Sequence, residues 1–212
     1  MAQRRFHYEA AFEQLLRRRR VPYVAVDEAK KALLPEGSRL RLTGSSPDTG
    51  EPIGLTLKSF DFVVYEGRRS LLVDVKGRKI IRRKRAPLAS GRMESWVTED
   101  DVTSLAHWRD LFGEGYTAAF VFVYWCDAQP PDGLFQELFE HRGRWYAVRA
   151  VELDAYRSRM TQRSVRWKTV HLATADFDQL SQPFGSWAAW SREPAVGEPT
   201  PSSAATDAAN RA

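Results

Sequence analysis

Apolar residues Tyr8, Ala11, Phe12, Leu15 and Leu16 recur at the spacing of one helix face and predict an amphipathic helix over residues 5–20. Arg17–Arg20 complement its C-terminal dipole, and Pro22 stops it. VPYVAV, residues 21–26, reads as a short strand, and DEAKKALLPEG as a brief helical turn. Residues 43–52, TGSSPDTGEP, have the composition of a loop and mark an insertion point. Two apolar runs then flank Glu66-Gly67-Arg68-Arg69, the pattern of a β-hairpin.

Further on, Thr98 has the features of an N-cap, with Glu99, Asp100 and Asp101 in the first turn of a helix running to about Phe112. Gly113 or Gly115 ends that helix. YTAAFVFVYWC, residues 116–126, is apolar at every alternate position on both faces and predicts an interior strand. DAQPPDG is a turn. The stretch from Leu134 to Met160 predicts strands passing into a short helix, and VRWKTVHLA, residues 165–173, a further strand. The sum is one α/β domain over residues 1–190, with a mixed central sheet flanked by helices and extra C-terminal αβ elements. Residues 191–212 have the composition of a disordered tail.

The hairpin carries the candidate chemistry. If its turn is centred between Gly67 and Arg68, Asp61 and Asp74 become a direct cross-strand pair, and alternation puts Lys76 on the face of Asp74. Phe60, Phe62 and Val64 are then expected opposite Asp61. Two carboxylates facing one another at ~5 Å repel by roughly 3 kcal/mol at an effective dielectric of about 20. A divalent cation would offset that cost. Alternatively, Lys76 neutralises one aspartate while the other reaches solvent at the end of the sheet. Glu9, at the edge of the first helix's apolar stripe, is a third candidate carboxylate, although a first-turn glutamate also serves simply to balance the helix dipole.

Charge adds one feature. The chain carries 32 basic and 27 acidic residues, a formal net charge of +5. Six basic side chains, Arg78, Lys79, Arg82, Arg83, Lys84 and Arg85, fall in residues 78–85, directly after Lys76. Beside a candidate metal site this run is a candidate contact for a phosphate backbone, rather than only a solvated loop. The four histidines, His7, His107, His141 and His171, lack metal-ligand spacing, and no phosphate-binding P-loop, GxSxG or GxGxxG pattern is present. Trp96 follows the basic run and is a candidate for stacking on a base, with core packing as the alternative. The single cysteine, Cys126, lies in an apolar run and reads as a core residue of a protein in a reducing compartment. There is no apolar span of bilayer length and no signal-peptide pattern, so a cytoplasmic protein with no membrane partner is expected.

Asp61 followed by Asp74-Val75-Lys76, behind a helix bearing Glu9 and ahead of a helix and strand, resembles the PD-(D/E)XK nuclease superfamily. HYEAAFE at residues 7–13, with VPYVAVDEA, LKSFDFVVY and LLVDVKGRK, is similar to the planctomycete HYExAFE group. Phe60 stands where many superfamily members have proline, a position commonly replaced. The resemblance implies a restriction-endonuclease-like αβββαβ core and metal-dependent hydrolysis of phosphodiesters in nucleic acid, DNA favoured over RNA, by an endonuclease of repair, recombination or defence. Mg²⁺, with Mn²⁺ as a substitute, would be held by Asp61, Asp74 and the Val75 carbonyl, with Glu9 accessory, and Lys76 would orient the attacking water. A homodimer or a partner protein would supply recognition. The alternative is a non-catalytic nucleic-acid-binding or scaffold protein on the same fold.

Overall fold

The computed structural model describes residues 6–27, 41–45, 52–66, 69–80, 93–126 and 137–189. Its first element, α1 (Phe6–Arg18), packs the expected stripe of Tyr8, Ala11, Phe12, Leu15 and Leu16 onto one face of a sheet. Each fully buried Leu or Phe on that stripe is worth about 1.5–3 kcal/mol of transfer free energy, so an acidic substitution at Leu16 would detach the helix. The helix ends where Arg20 takes a left-handed conformation, φ 56°, two residues before Pro22.

The strands follow as β1 (Tyr23–Ala25), β2 (Arg41–Ser45), β3 (Pro52–Thr56), β4 (Phe62–Glu66) and β5 (Arg69–Ile80). After these come β6 (Val97–Thr98), α2 (Glu99–Phe112), β7 (Tyr116–Cys126), β8 (Leu138–His141) and β9 (Arg144–Glu152). The chain closes with α3 (Leu153–Arg159), β10 (Thr161–Ser164), β11 (Thr169–His171), α4 (Thr174–Leu180) and a 3₁₀ turn at Phe184–Ala189. Among the described residues the main sheet has six strands in the order β1-β4-β5-β7-β9-β8. β5 and β7 run parallel and the other neighbours antiparallel, so the sheet is mixed. Taken in order, α1, β1, β4, β5, α2 and β7 give the expected αβββαβ core.

β7 is buried along most of its length because it lies between two apolar layers. On one side Ala119, Val121 and Val123 meet α1; on the other Phe120, Phe122 and Tyr124 meet α2, α3 and α4. Cys126 is buried and forms no disulfide. The start of α2 is a reciprocal capping box: Asp101 N–H donates to Thr98 Oγ1 at 3.1 Å, and Thr98 N–H donates to Asp101 Oδ2 at 2.9 Å. Gly113, at φ 76°, ends the helix.

Three local expectations are corrected. The strand at 21–26 narrows to Tyr23–Ala25, because Val26 and Asp27 turn into a helix start. Both ends of the 43–52 loop are strand, since β2 and β3 pair from Arg41–Thr56 to Ser45–Pro52 as a hairpin inserted between β1 and β4. Of residues 165–173 only Thr169–His171 is strand; the first four form a turn, with Lys168 at φ 44°. β11 joins β10 and β6 in a small three-stranded sheet that the sequence did not suggest. The helical turn expected after Asp27, the 127–133 turn and the tail at 191–212 lie outside the described residues. No helix among the described residues is long and apolar enough to cross a membrane.

Candidate metal and nucleic-acid site

The hairpin register is the one expected from the turn. β4 and β5 pair from Glu66–Arg69 to Phe62–Val73, and the direct Asp61–Asp74 pair expected one step further is not formed. The ladder stops there, because the chain bends at Asp61. Its amide donates to Val73 O at 2.9 Å, and its carboxylate turns back to accept Val75 N–H at 2.6 Å. Among the described residues β5 continues with β7 as its strand partner as far as Ile80. A strand residue points its N–H and C=O the same way, so the Val75 carbonyl faces the cleft where β4 has left. The bend also corrects the alternation: Phe60 packs with Val63 on the α2 face, against Trp108 and Phe112, instead of opposite it.

Asp74 and Lys76 share the α2 face, and Lys76 Nζ lies 2.8 Å from Asp74 Oδ2. Asp74 is 8% exposed. Lys76 makes a second ion pair, at 3.2 Å, with Asp101 Oδ2 from the first turn of α2. Lys58 Nζ closes the group from outside, 3.0 Å from Asp101 Oδ1 and 2.8 Å from Thr98 Oγ1. Asp101 and Lys58 are the site residues that sequence reasoning did not single out. The Thr98-x-x-Asp101 spacing announced the cap, but nothing local connects it to a lysine on another strand.

Electrostatics separates the carboxylates. Burial drives the Asp61 carboxyl well above its usual range; Asp74 and Glu9 push the same way, against the Val75 N–H bond and Lys76. Asp74 is also raised, by burial, which outweighs the pull of Lys76. Asp101 behaves oppositely: burial would raise it, but Lys76, the Thr98 bonds and Lys58 bring it down to about 2. Burial would lower Lys76, yet Asp74 and Asp101 more than offset this, and the group stays an ammonium.

Among the described residues no group of three or more His, Cys, Asp or Glu side chains is gathered closely enough to hold a metal ion. The donor chemistry nonetheless fits. Asp61 has no ion-pair partner among the described residues and resists ionising beside Asp74 and Glu9, which is the condition a cation relieves. Asp61, Asp74 and the Val75 carbonyl supply oxygen donors at one strand end, and Glu9 is near enough to act on Asp61 through space.

The basic run divides. Arg78 turns inward, donating to Gly77 O at 2.8 Å and to Trp96 O, and its guanidinium stacks on Trp96. Trp96 therefore packs against an arginine at the sheet's end. Lys79 is exposed, with Nζ over the Trp125 ring. Arg82, Arg83, Lys84 and Arg85 lie outside the described residues.

No protein-family model matches the chain, and no curated protein matches it. Among solved structures, the fold is similar to that of the Holliday junction resolvase Hjc of the archaeal hyperthermophile Archaeoglobus fulgidus, at 15% identity and a TM-score of 0.34. The match covers 61% of this chain and 73% of the resolvase.

Proposed function

We propose that this chain is a metal-dependent nuclease of the PD-(D/E)XK type, hydrolysing phosphodiesters within nucleic acid, with DNA favoured. The observation that carries this reading is the pair Asp61 and Asp74, both shifted towards the neutral acid by burial, at the cleft where β4 leaves β5. Mg²⁺ or Mn²⁺ would be held there by Asp61, Asp74 and the Val75 carbonyl, with Glu9 accessory. When bound, the cation would supply Lewis-acid stabilisation of charge developing on the phosphoryl oxygens.

The chain's own groups do the rest. Lys76 is a protonated donor, so it orients a water and offsets negative charge and does not act as a base. Asp101, low in pKa and tied to the helix cap, holds the ammonium in place. In hydrolysis the water oxygen forms a new P–O bond, the scissile P–O bond breaks, and the departing oxygen ends with a proton. HYEAAFE supports grouping the chain with the HYExAFE proteins, and the through-space effect of Glu9 on Asp61 supports its accessory role.

A second reading is favoured by the Lys76 contacts themselves. A lysine already bridging Asp74 and Asp101 also suits a closed ion-pair network in a nucleic-acid-binding or scaffold protein. Incubating wild type and Lys76→Ala with Mg²⁺ or Mn²⁺ and single-stranded, duplex, flapped and four-way DNA, and matched RNA, separates the two. The nuclease reading expects metal-dependent cutting by wild type and none by Lys76→Ala with its fold retained. Full activity in that variant would remove Lys76 from catalysis.

A further inference from the structure

Beyond Lys76, successive residues of β5 point to opposite faces, and each ends on a tryptophan. Arg78 Cζ lies 3.9 Å from the Trp96 ring centre, and Lys79 Nζ lies 4.4 Å from that of Trp125. Each ring also carries a second cation, Arg163 at 5.2 Å on Trp96 and Arg144 at 4.9 Å on Trp125.

The two clusters differ in how their arginines are paired. Around Trp96, Glu94 accepts from the indole at 3.1 Å and from Arg163 at 3.2 Å, while Arg78 donates from Nη1 and Nη2 to backbone carbonyls. Around Trp125 no carboxylate pairs with Arg144 among the described residues. Its neighbours there are His7, edge-on to the ring at 5.8 Å, and Tyr146, whose hydroxyl is 3.0 Å from His7 Nδ1. Lys79 and Arg144 are both exposed. Lys79 stands opposite Trp125, and Trp125 opposite Tyr146, so the group forms a row across three strands on the α1 face.

We infer that Lys79, Trp125 and Arg144 form a phosphate-binding site for a nucleic-acid strand leaving the Asp61–Asp74 cleft. This rests on the nucleic-acid reading of that cleft. Two cations held over one ring are already ordered, so less freedom is lost when they meet phosphates, and the ring's attraction is what places them. Val75 to Lys79 is four residues along β5, about 13 Å at ~3.3 Å per residue.

The test is fluorescence anisotropy of labelled single-stranded and duplex DNA in EDTA, from 50 to 200 mM salt, with wild type, Lys79→Gln, Arg144→Gln and Trp125→Leu. Each charge removed is expected to weaken binding several-fold and to flatten the slope of log K against log salt by about 0.7–0.9. Trp125→Leu keeps both charges and is expected to weaken binding with little change in slope; the two glutamine variants alter exposed side chains and guard against a folding defect in it. Wild-type affinity and slope in both glutamine variants would overturn the site, as would competition by polyglutamate as effective, charge for charge, as by DNA. Binding without any metal-dependent cutting would remove the nuclease reading and leave this contact standing. Absence of DNA binding by wild type at 50 mM salt would remove both.

Discussion

Lys76 Nζ reaches from β5 to Asp101 Oδ2 of α2 at 3.2 Å, joining a candidate catalytic lysine to the cap of a helix. The same carboxylate accepts Thr98 N–H, so cap geometry and lysine position are fixed by one group. Asp101 has a folded pKa of about 2, below its unfolded value of about 3.9. Its contribution is therefore complete above about pH 4 and lost as pH falls towards 2. Asp101→Asn should cost about 2 kcal/mol at pH 7, read by urea denaturation. The gap from wild type should close across that acid window; a constant gap down to pH 2 would contradict the assignment.

Asp61 gives the opposite sign. Its folded pKa is raised, so ionising it costs stability that is intact below about pH 3.9 and is lost as pH rises through the folded value. Asp61→Asn keeps an acceptor for Val75 N–H and removes the charge. In EDTA at pH 7 this variant should melt higher than wild type, with the difference shrinking in acid. A lower melting temperature would show that the carboxylate is not under electrostatic strain.

Metal binding is read without any substrate. Mg²⁺ or Mn²⁺ at tenfold its dissociation constant should stabilise wild type by about 1.4 kcal/mol, and Asp61→Asn or Asp74→Asn should lose most of that gain. Equal gains in all three proteins would place the ion elsewhere.

Tyr8 covers Gly77 so closely that an added Cβ would fall 2.1 Å from the ring. Gly77→Ala must therefore displace the Tyr8 ring from its seat on β5, at about 1–3 kcal/mol. In a Tyr8→Ala background the same methyl should cost far less. A double-mutant cycle by chemical denaturation measures the difference, and additivity would rule the contact out.

Tyr156 anchors the segment leading into the Thr98 cap, its buried hydroxyl donating to Ser95 O at 2.7 Å. Tyr156→Phe should lower stability by about 1 kcal/mol, leaving the Ser95 carbonyl without this donor. No measurable change in denaturation midpoint would mean that the bond contributes nothing.

Near-neighbour chemistry made much of this legible in the sequence. The stripe of α1 and the limits of β7 follow from apolar periodicity, the Thr98 cap from its acidic first turn, and the β4–β5 register from the spacing of the two apolar runs. Packing decided the rest. Phe60 changed face because the chain bends where β4 leaves β5. Lys76 met Asp101, and Lys79 met Trp125 and Arg144, because separate elements converge there. Alternation and turn types act over a few residues, so the sequence determined which side chains share a strand face. Which distant charge or ring a buried cation meets depends on how helices seat on the sheet, and only the tertiary structure settled that.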